Sequence, residues 1–336
     1  MGRVSTEPAP TPARSAGAAT VLARSRGELA VALADAPDPR AVVMTMGALH
    51  EGHFDLVREA ARRIGPAGTV VVTIFVNPLQ FAPTEDLDSY PRDLEGDLAG
   101  LTRTLTGVDG ALGVGRLVVF APTPEVIYPA GQPAVRIDPG PIATVLEGRT
   151  RPTHFAGVCQ VVLTLMHLTA PRWALFGRKD AQQLAIIESM VRDLAVPLEI
   201  VPVDIRRESD GLAMSSRNAY LSPEQRRQAL ALSRALQAGR DAAAQAAGSG
   251  TRPDPAAIRR AALASLEAAD GVEIDYVALV DPAGFEDLTD AGLGLPRRAP
   301  VHEDTGEGLP AVGLLAVAAR VGTTRLIDNT LIDLHP

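Results

Sequence analysis

Ala41-Val42-Val43-Met44-Thr45-Met46-Gly47-Ala48-Leu49-His50-Glu51-Gly52-His53 is the stretch on which the fold turns. A short apolar run of strand length gives way to a glycine turn and then to a helical stretch from His53 to Ile64. Gly47 permits a tight turn, and Gly52 lets the first helical turn approach an anion with no side chain in the way. The amides and dipole of a helix N-terminus favour negative charge. His50 and His53, three apart, lie on one helix face and can both donate to phosphate oxygens. A metal pair on a helix prefers four-residue spacing with a further ligand nearby, and none is evident. Strand, turn and helix together point to a nucleotide-phosphate site spanning Met46 to His53.

Outward from that stretch, strand-like runs recur at Thr69 to Val76, Leu117 to Phe120, Trp173 to Phe176 and Leu198 to Val203. Helical stretches at Asp93 to Leu105, Phe155 to Leu168 and Asp180 to Leu194 fall between them. Such alternation predicts an α/β fold, a mostly parallel, doubly wound sheet with helices on both faces. Ligands of such sheets bind beyond the carboxyl ends of the strands. After about Ile205 the texture changes. Two Ala-rich helices, around Pro223 to Ala246 and Pro255 to Ala269, precede strands at Val272 to Val280 and Leu314 to Val321. We therefore expect a disordered tail over 1–20, a nucleotide-binding domain over 21–205 and a smaller α+β domain over 206–336. Segments 101–115 and 283–310 read as loops or insertions.

The chain has 336 residues, 46% hydrophobic and 21% charged, so a substantial core can be buried without staples. Its formal net charge of -8 argues against a general nucleic-acid partner, which needs a surplus of Lys and Arg. Cys159 is the single cysteine, so no intrachain disulfide forms, and its apolar neighbours mark it as a core thiol. No apolar run approaches the roughly 18 to 20 residues that cross a bilayer. A cytoplasmic protein without a membrane partner is the expectation.

Three further motifs carry polar groups. At Gly177-Arg178-Lys179-Asp180, again between strand and helix, Lys179 can reach a phosphate and Asp180 is placed to cap the helix. Met214-Ser215-Ser216-Arg217 offers two hydroxyls and a guanidinium on a loop, suited to a polyphosphate. Asn77-Pro78-Leu79-Gln80 leaves a strand with two amides beside apolar walls, suited to a small polar organic molecule.

Together with Glu-Asp-Leu-Asp-Ser-Tyr-Pro-Arg (85–92), Arg-Pro-Thr-His-Phe-Ala-Gly-Val (151–158) and Ala-Ala-Arg-Val-Gly-Thr-Thr-Arg-Leu-Ile-Asp-Asn (318–329), these motifs closely resemble the pantothenate synthetase family. That family of pantoate–β-alanine ligases belongs to the nucleotidylyltransferases with a His-x-Gly-His motif. The resemblance implies a Rossmann-like N-terminal domain, a smaller lid-like C-terminal domain and a homodimer. It implies ATP and Mg²⁺, with pantoate and β-alanine joined through a pantoyl adenylate. ATP would be held by Met46, Gly47, His50, His53, Gly177, Lys179, Asp180, Met214, Ser215, Ser216 and Arg217. Of these, His53, His50, Lys179 and Arg217 would be catalytic, with His53 the proton donor. Gln80, Gln183 and Asn77 would hold the pantoate and β-alanine, and Asp97 the metal.

Three residues depart from the family pattern. Met44 stands for a proline, which should loosen the turn before the motif. Arg178 stands for a glutamate and Ala181 for a tyrosine. Two other readings compete: an enzyme that adenylylates a phosphate ester or amino acid, and an ATP-binding relative that has lost turnover.

Overall fold

A computed structural model describes residues 20–81, 87, 90–107, 113–289 and 310–335. The expected disordered tail lies outside the described residues apart from Thr20, as do much of 283–310 and part of 101–115.

Six strands form one parallel sheet in the order β1-β4-β3-β2-β5-β6. They are β1 (Thr20–Ala23), β2 (Arg40–Thr45), β3 (Thr69–Ile74), β4 (Arg116–Phe120), β5 (Trp173–Gly177) and β6 (Glu199–Val203). The central strands are Val-rich because both faces are covered, the pattern a buried parallel sheet imposes. Helices α1 (Arg26–Ala34), α6 (His154–Thr169) and α7 (Ala181–Asp193) lie on one side, where Val42, Val71, Val118 and Ala174 join their buried faces. Helices α2 (Glu51–Ile64) and α3 (Leu94–Leu105) cover Val43, Val70, Val72 and Val119 on the other. Two short helices, α4 (Pro124–Ile127) and α5 (Glu147–Thr150), punctuate the long passage from β4 to α6. From β2 the chain proceeds through β3 to β4 on one side, and later through β5 to β6 on the other. The strand order therefore reverses between β2 and β5, and a crevice opens at that switch point.

The later part pairs two long helices with an antiparallel sheet, β7-β8-β9. Helix α8 (Pro223–Gly248) begins at a capping box in which Ser222 and Gln225 satisfy each other's amides, with Pro223 at its first position. Helix α9 (Pro255–Glu267) begins on Asp254, whose carboxylate takes the first amides, with Pro255 next. Strands β7 (Val272–Val280), β8 (Val312–Val321) and β9 (Thr324–Asp333) follow. Period-2 alternation sends Val277, Leu279, Leu315 and Val317 toward α8 and α9. It sends Tyr276, Ala278, Val280, Ala316 and Ala318 the other way, onto Ala185 of α7 and onto Val145 and Leu146. The second sheet is thus buried on both faces, and its inner face rests on α7 and the 145–146 segment.

Helix α6 comes unusually close to the short 3₁₀ turn Pro78–Gln80. A Cβ on Gly157 would collide with the Leu79 carbonyl and sit 2.9 Å from the Gln80 nitrogen. We expect Gly157→Ala to cost about 1–3 kcal/mol through overpacking, seen as a lower Tm. Activity should fall as well, because Gln80 is displaced. An unchanged Tm would show that α6 can slide away without penalty.

Candidate active site

Thr45 closes β2, and its hydroxyl donates to the Thr73 carbonyl while accepting the Gly47 amide at 3.3 Å. Gly47 has φ +92°, and a Cβ there would lie 3.2 Å from an Asp97 carboxylate oxygen, so the turn needs a glycine. Asp97, on α3 and 4% exposed, takes the Ala48 amide at 3.1 Å and the Leu49 amide at 2.7 Å. Burial raises the Asp97 carboxyl above its ordinary range, against the pull of those two amides. Three successive amides are therefore held by side chains behind the turn. Met44, which leads into this turn, continues the β2 ladder opposite Thr73.

Helix α2 starts with a capping box built from the two histidines. The His50 amide donates to Nδ1 of His53, and the Gly52 amide donates to Nδ1 of His50 at 3.2 Å. A backbone N–H can only donate, so each Nδ1 is an acceptor and the proton of the neutral ring sits on Nε2. Burial, followed by the neighbouring imidazole, pushes His53 down from 6.5 to about 3. Burial and then Lys179 lower His50. Both rings are neutral at physiological pH, and they lie 4.0 Å apart. The His50 and Gly52 amides at this helix start are thus taken by the imidazoles. Both imidazoles line the cleft, and Nε2–H is the donor each has left for it.

The cleft is a cavity of about 300 Å³ beyond the ends of β2 and β5. Met46, His50 and His53 line it from the first motif, and Gly177, Lys179, Asp180 and Gln183 from the second. Met214, Ser215, Ser216 and Arg217 close it from the loop before α8, with Gln80 opposite. Lys179 donates to Asp180 at 3.1 Å. Burial would raise the Asp180 carboxyl, yet Lys179, Arg217 and His154 together hold it below the usual range. Arg178 is not among the lining residues but pairs at 3.2 Å with Asp204, which is.

Three residues expected at the site stand behind it: Gly47, Asp97 and Asn77. Asn77 is fully buried and its amide is committed internally. Its Oδ1 accepts the Leu79 amide and the Tyr128 hydroxyl. Its Nδ2 donates to the Gly157 carbonyl and to Oε1 of Gln80, both at 3.0 Å. A backbone donor thereby fixes the polarity of Asn77, and Asn77 fixes that of Gln80. The Gln80 Nε2 is left to donate to a ligand. Both Asp97 oxygens accept backbone amides, and Asp97 is not among the residues lining this cavity. Among the described residues, no group of three or more His, Cys, Asp or Glu could hold a metal ion.

Arg151, His154 and Tyr90 also line the cavity, and residue-by-residue reading gave them no role. Arg151 and Nδ1 of His154 both donate to the Gln80 carbonyl, at 3.2 and 3.1 Å. The available signal was a pair of basic side chains directly before an apolar helix.

Outward-facing donors at the switch point of a doubly wound sheet define an α/β protein with an anion-directed cleft. A family model described as pantoate-beta-alanine ligase matches residues 23–331, and the chain belongs to that family. It is 49% identical over 317 residues to a pantothenate synthetase of Nocardioides sp., covering 93% of this chain and 85% of the relative. The crystal structure of pantothenate synthetase from Thermus thermophilus matches with a TM-score of 0.76 at 40% identity, over 94% of this chain and all of the other. The Francisella tularensis pantoate-beta-alanine ligase, described as complexed with beta-gamma ATP and beta-alanine, matches at 28% identity with a TM-score of 0.65, over 93% and 98% of the two chains.

The neutral histidine pair has a consequence for stability. Unfolded, His53 titrates at its ordinary 6.5; folded, it titrates at about 3. Between those values protons bind the unfolded chain preferentially, so stability is lost as pH falls from 6.5 toward 3. We expect His53→Asn to lose less Tm than the unsubstituted protein between about pH 7 and about pH 5. Equal losses would mean that His53 charges freely within the fold.

Proposed function

We propose that the chain condenses pantoate with β-alanine to pantothenate, a step of coenzyme A biosynthesis, using ATP and releasing AMP and pyrophosphate. The observation that carries this reading is one cavity lined together by His50, His53, Lys179, Arg217, Gln80 and Gln183. Such a wall of donors receives a polyphosphate and an oxygen-rich acid side by side.

The chemistry follows from that arrangement. A pantoate carboxylate oxygen attacks the α-phosphorus of ATP, the bond to the bridging oxygen breaks, and pyrophosphate leaves with the electron pair. Charge grows on the phosphate oxygens, and Lys179, Arg217 and the Nε2–H groups of His50 and His53 are placed to offset it. Being neutral, His53 supplies a hydrogen bond there rather than a positive charge. Met46, Gly177 and Asp180 border the nucleotide, with Met214, Ser215 and Ser216 closing over it. Gln80 and Gln183 orient pantoate. Asn77 supports Gln80 from behind, and Gly47 shapes the turn. The amine nitrogen of β-alanine then attacks the acyl carbon of the enclosed pantoyl adenylate, AMP departs, and the nitrogen loses a proton.

Magnesium belongs to the same reading. It would arrive on the ATP phosphates rather than on Asp97, and would offset charge there. A homodimer, a cytoplasmic location and a division near residue 205 into a substrate-binding domain and a smaller lid complete the proposal. Among the described residues no helix is long and apolar enough to cross a membrane.

Purified protein given ATP, Mg²⁺ and pantoate, with and without β-alanine, is expected to release AMP steadily only when both acid and amine are present. Release independent of either would overturn the assignment. His53→Ala should slow adenylation by about 100- to 1,000-fold while the folded state persists by circular dichroism. A fully active variant would remove His53 from the mechanism.

A further inference from the structure

Two adjacent residues of β9, Asp328 and Asn329, are 3% and 5% exposed and belong to the second sheet rather than to the cleft-bearing one. Their register partners on β8 are Val317 and Ala316, so they point to opposite faces. Asp328 takes the Arg207 guanidinium in a two-pronged pair at 2.7 and 3.0 Å. Arg207 in turn donates to the Gly211 carbonyl at 3.1 Å and bridges Ala213. That closes the loop from which Met214 to Arg217 emerge, and the Met214 amide returns to the Arg206 carbonyl at 2.9 Å. On the other face, Nδ2 of Asn329 donates to the carbonyls of both Arg178 and Lys179, at 2.9 and 2.8 Å. Carbonyls only accept, so the side-chain polarity of Asn329 is fixed.

We infer that Asp328 and Asn329 are positioning residues: one strand of the second sheet grips from behind the two loops that present Lys179 and Arg217 to the ATP phosphates. The inference rests on the function proposed above and deepens it. Neither residue touches the substrates in this scheme. Asn329 sets the backbone from which the Lys179 ammonium extends, and Asp328, through Arg207, sets the loop that carries Arg217. Both cations act in adenylation, where the charge on pyrophosphate builds. Neither is needed when β-alanine attacks a pantoyl adenylate already formed. The two half-reactions therefore separate a positioning role from a general loss of structure.

The variants are Asn329→Ala, which leaves two carbonyls without donors, and Asn329→Asp, which sets a carboxylate against them. Asp328→Asn weakens the other grip. Pantoate-dependent exchange of pyrophosphate into ATP is expected to fall by about 100-fold, the scale of a group displaced by about 1 Å. The KM for pantoate and the reaction of supplied pantoyl adenylate with β-alanine should be unchanged. Amide hydrogen exchange across residues 177–183 should accelerate in the Asn329 variants. If Asn329→Asp fails to fold, Asn329→Ala decides the matter. Unchanged pyrophosphate exchange, or both half-reactions falling together in a folded variant, would overturn the inference. A wild-type protein that performs neither half-reaction would instead sink the proposed function, and amide exchange over 177–183 would still judge the grip of Asn329.

Discussion

The site depends on one carboxylate that is bonded to the backbone. Asp97 accepts the amides of Ala48 and Leu49, and so pins the turn between β2 and α2 against α3. Without that anchor, the Gly47 turn could present His50 and His53 at many angles. With it, the turn's polar backbone is satisfied from behind, and the helix that follows can cap itself with its own imidazoles. Catalytic geometry needs such support, because groups that react must not be free to wander. Burial also makes the anchor firm: two hydrogen bonds to a carboxylate away from water are costly to break without replacement.

The same arrangement recurs at each wall of the cavity. A side chain in contact with the ligand space is backed by another that is buried and whose polarity is fixed by the backbone. Asn77 stands behind Gln80, Gln182 stands beside Gln183, and Asn329 stands behind Lys179. The Gln182 amide is occupied entirely by the 142–147 segment, with Nε2 on the Ile142 and Val145 carbonyls and Oε1 on the Glu147 amide. Glu147 then meets Tyr276 and Arg325 of the second sheet. The second sheet, already packed on α7 through the cluster of Tyr276, Ala278 and Ala185, is thereby tied to the first part of the chain by a polar seam as well.

Much of this was legible in the residues. Val-rich runs and intervening amphipathic stretches specified the doubly wound sheet, because a strand buried on both faces leaves no room for polar alternation. Two segments lining the cavity, 46–53 and 177–183, carried glycines and charged or imidazole side chains at strand ends, where a ligand-binding sheet places them. What stayed hidden has physical causes. Strand β1 is only four residues long and sits at an edge. Strand β9 reads as Thr-Arg-Leu-Ile-Asp-Asn-Thr-Leu-Ile-Asp, whose charged positions mask its period. Arg325 and Asp328 are tolerated there because each meets an opposite charge, at 2.6 and 2.7 Å. Spacing alone could not show that Asp97 and Asn77 face inward. A carboxylate or amide near a motif looks the same in sequence whether it serves a substrate or the backbone.

The neutrality of the two histidines matters for how the cleft responds to its medium. In the proposed reaction Lys179 and Arg217 act through net charge, which would draw a polyphosphate from a distance and is screened within about 8 Å at physiological ionic strength. The imidazoles carry no net charge, so added salt does little to the short hydrogen bonds they donate. Attraction and grip are thus entrusted to different chemistries. Salt should weaken the capture of the nucleotide well before it disturbs the hold on a nucleotide already seated.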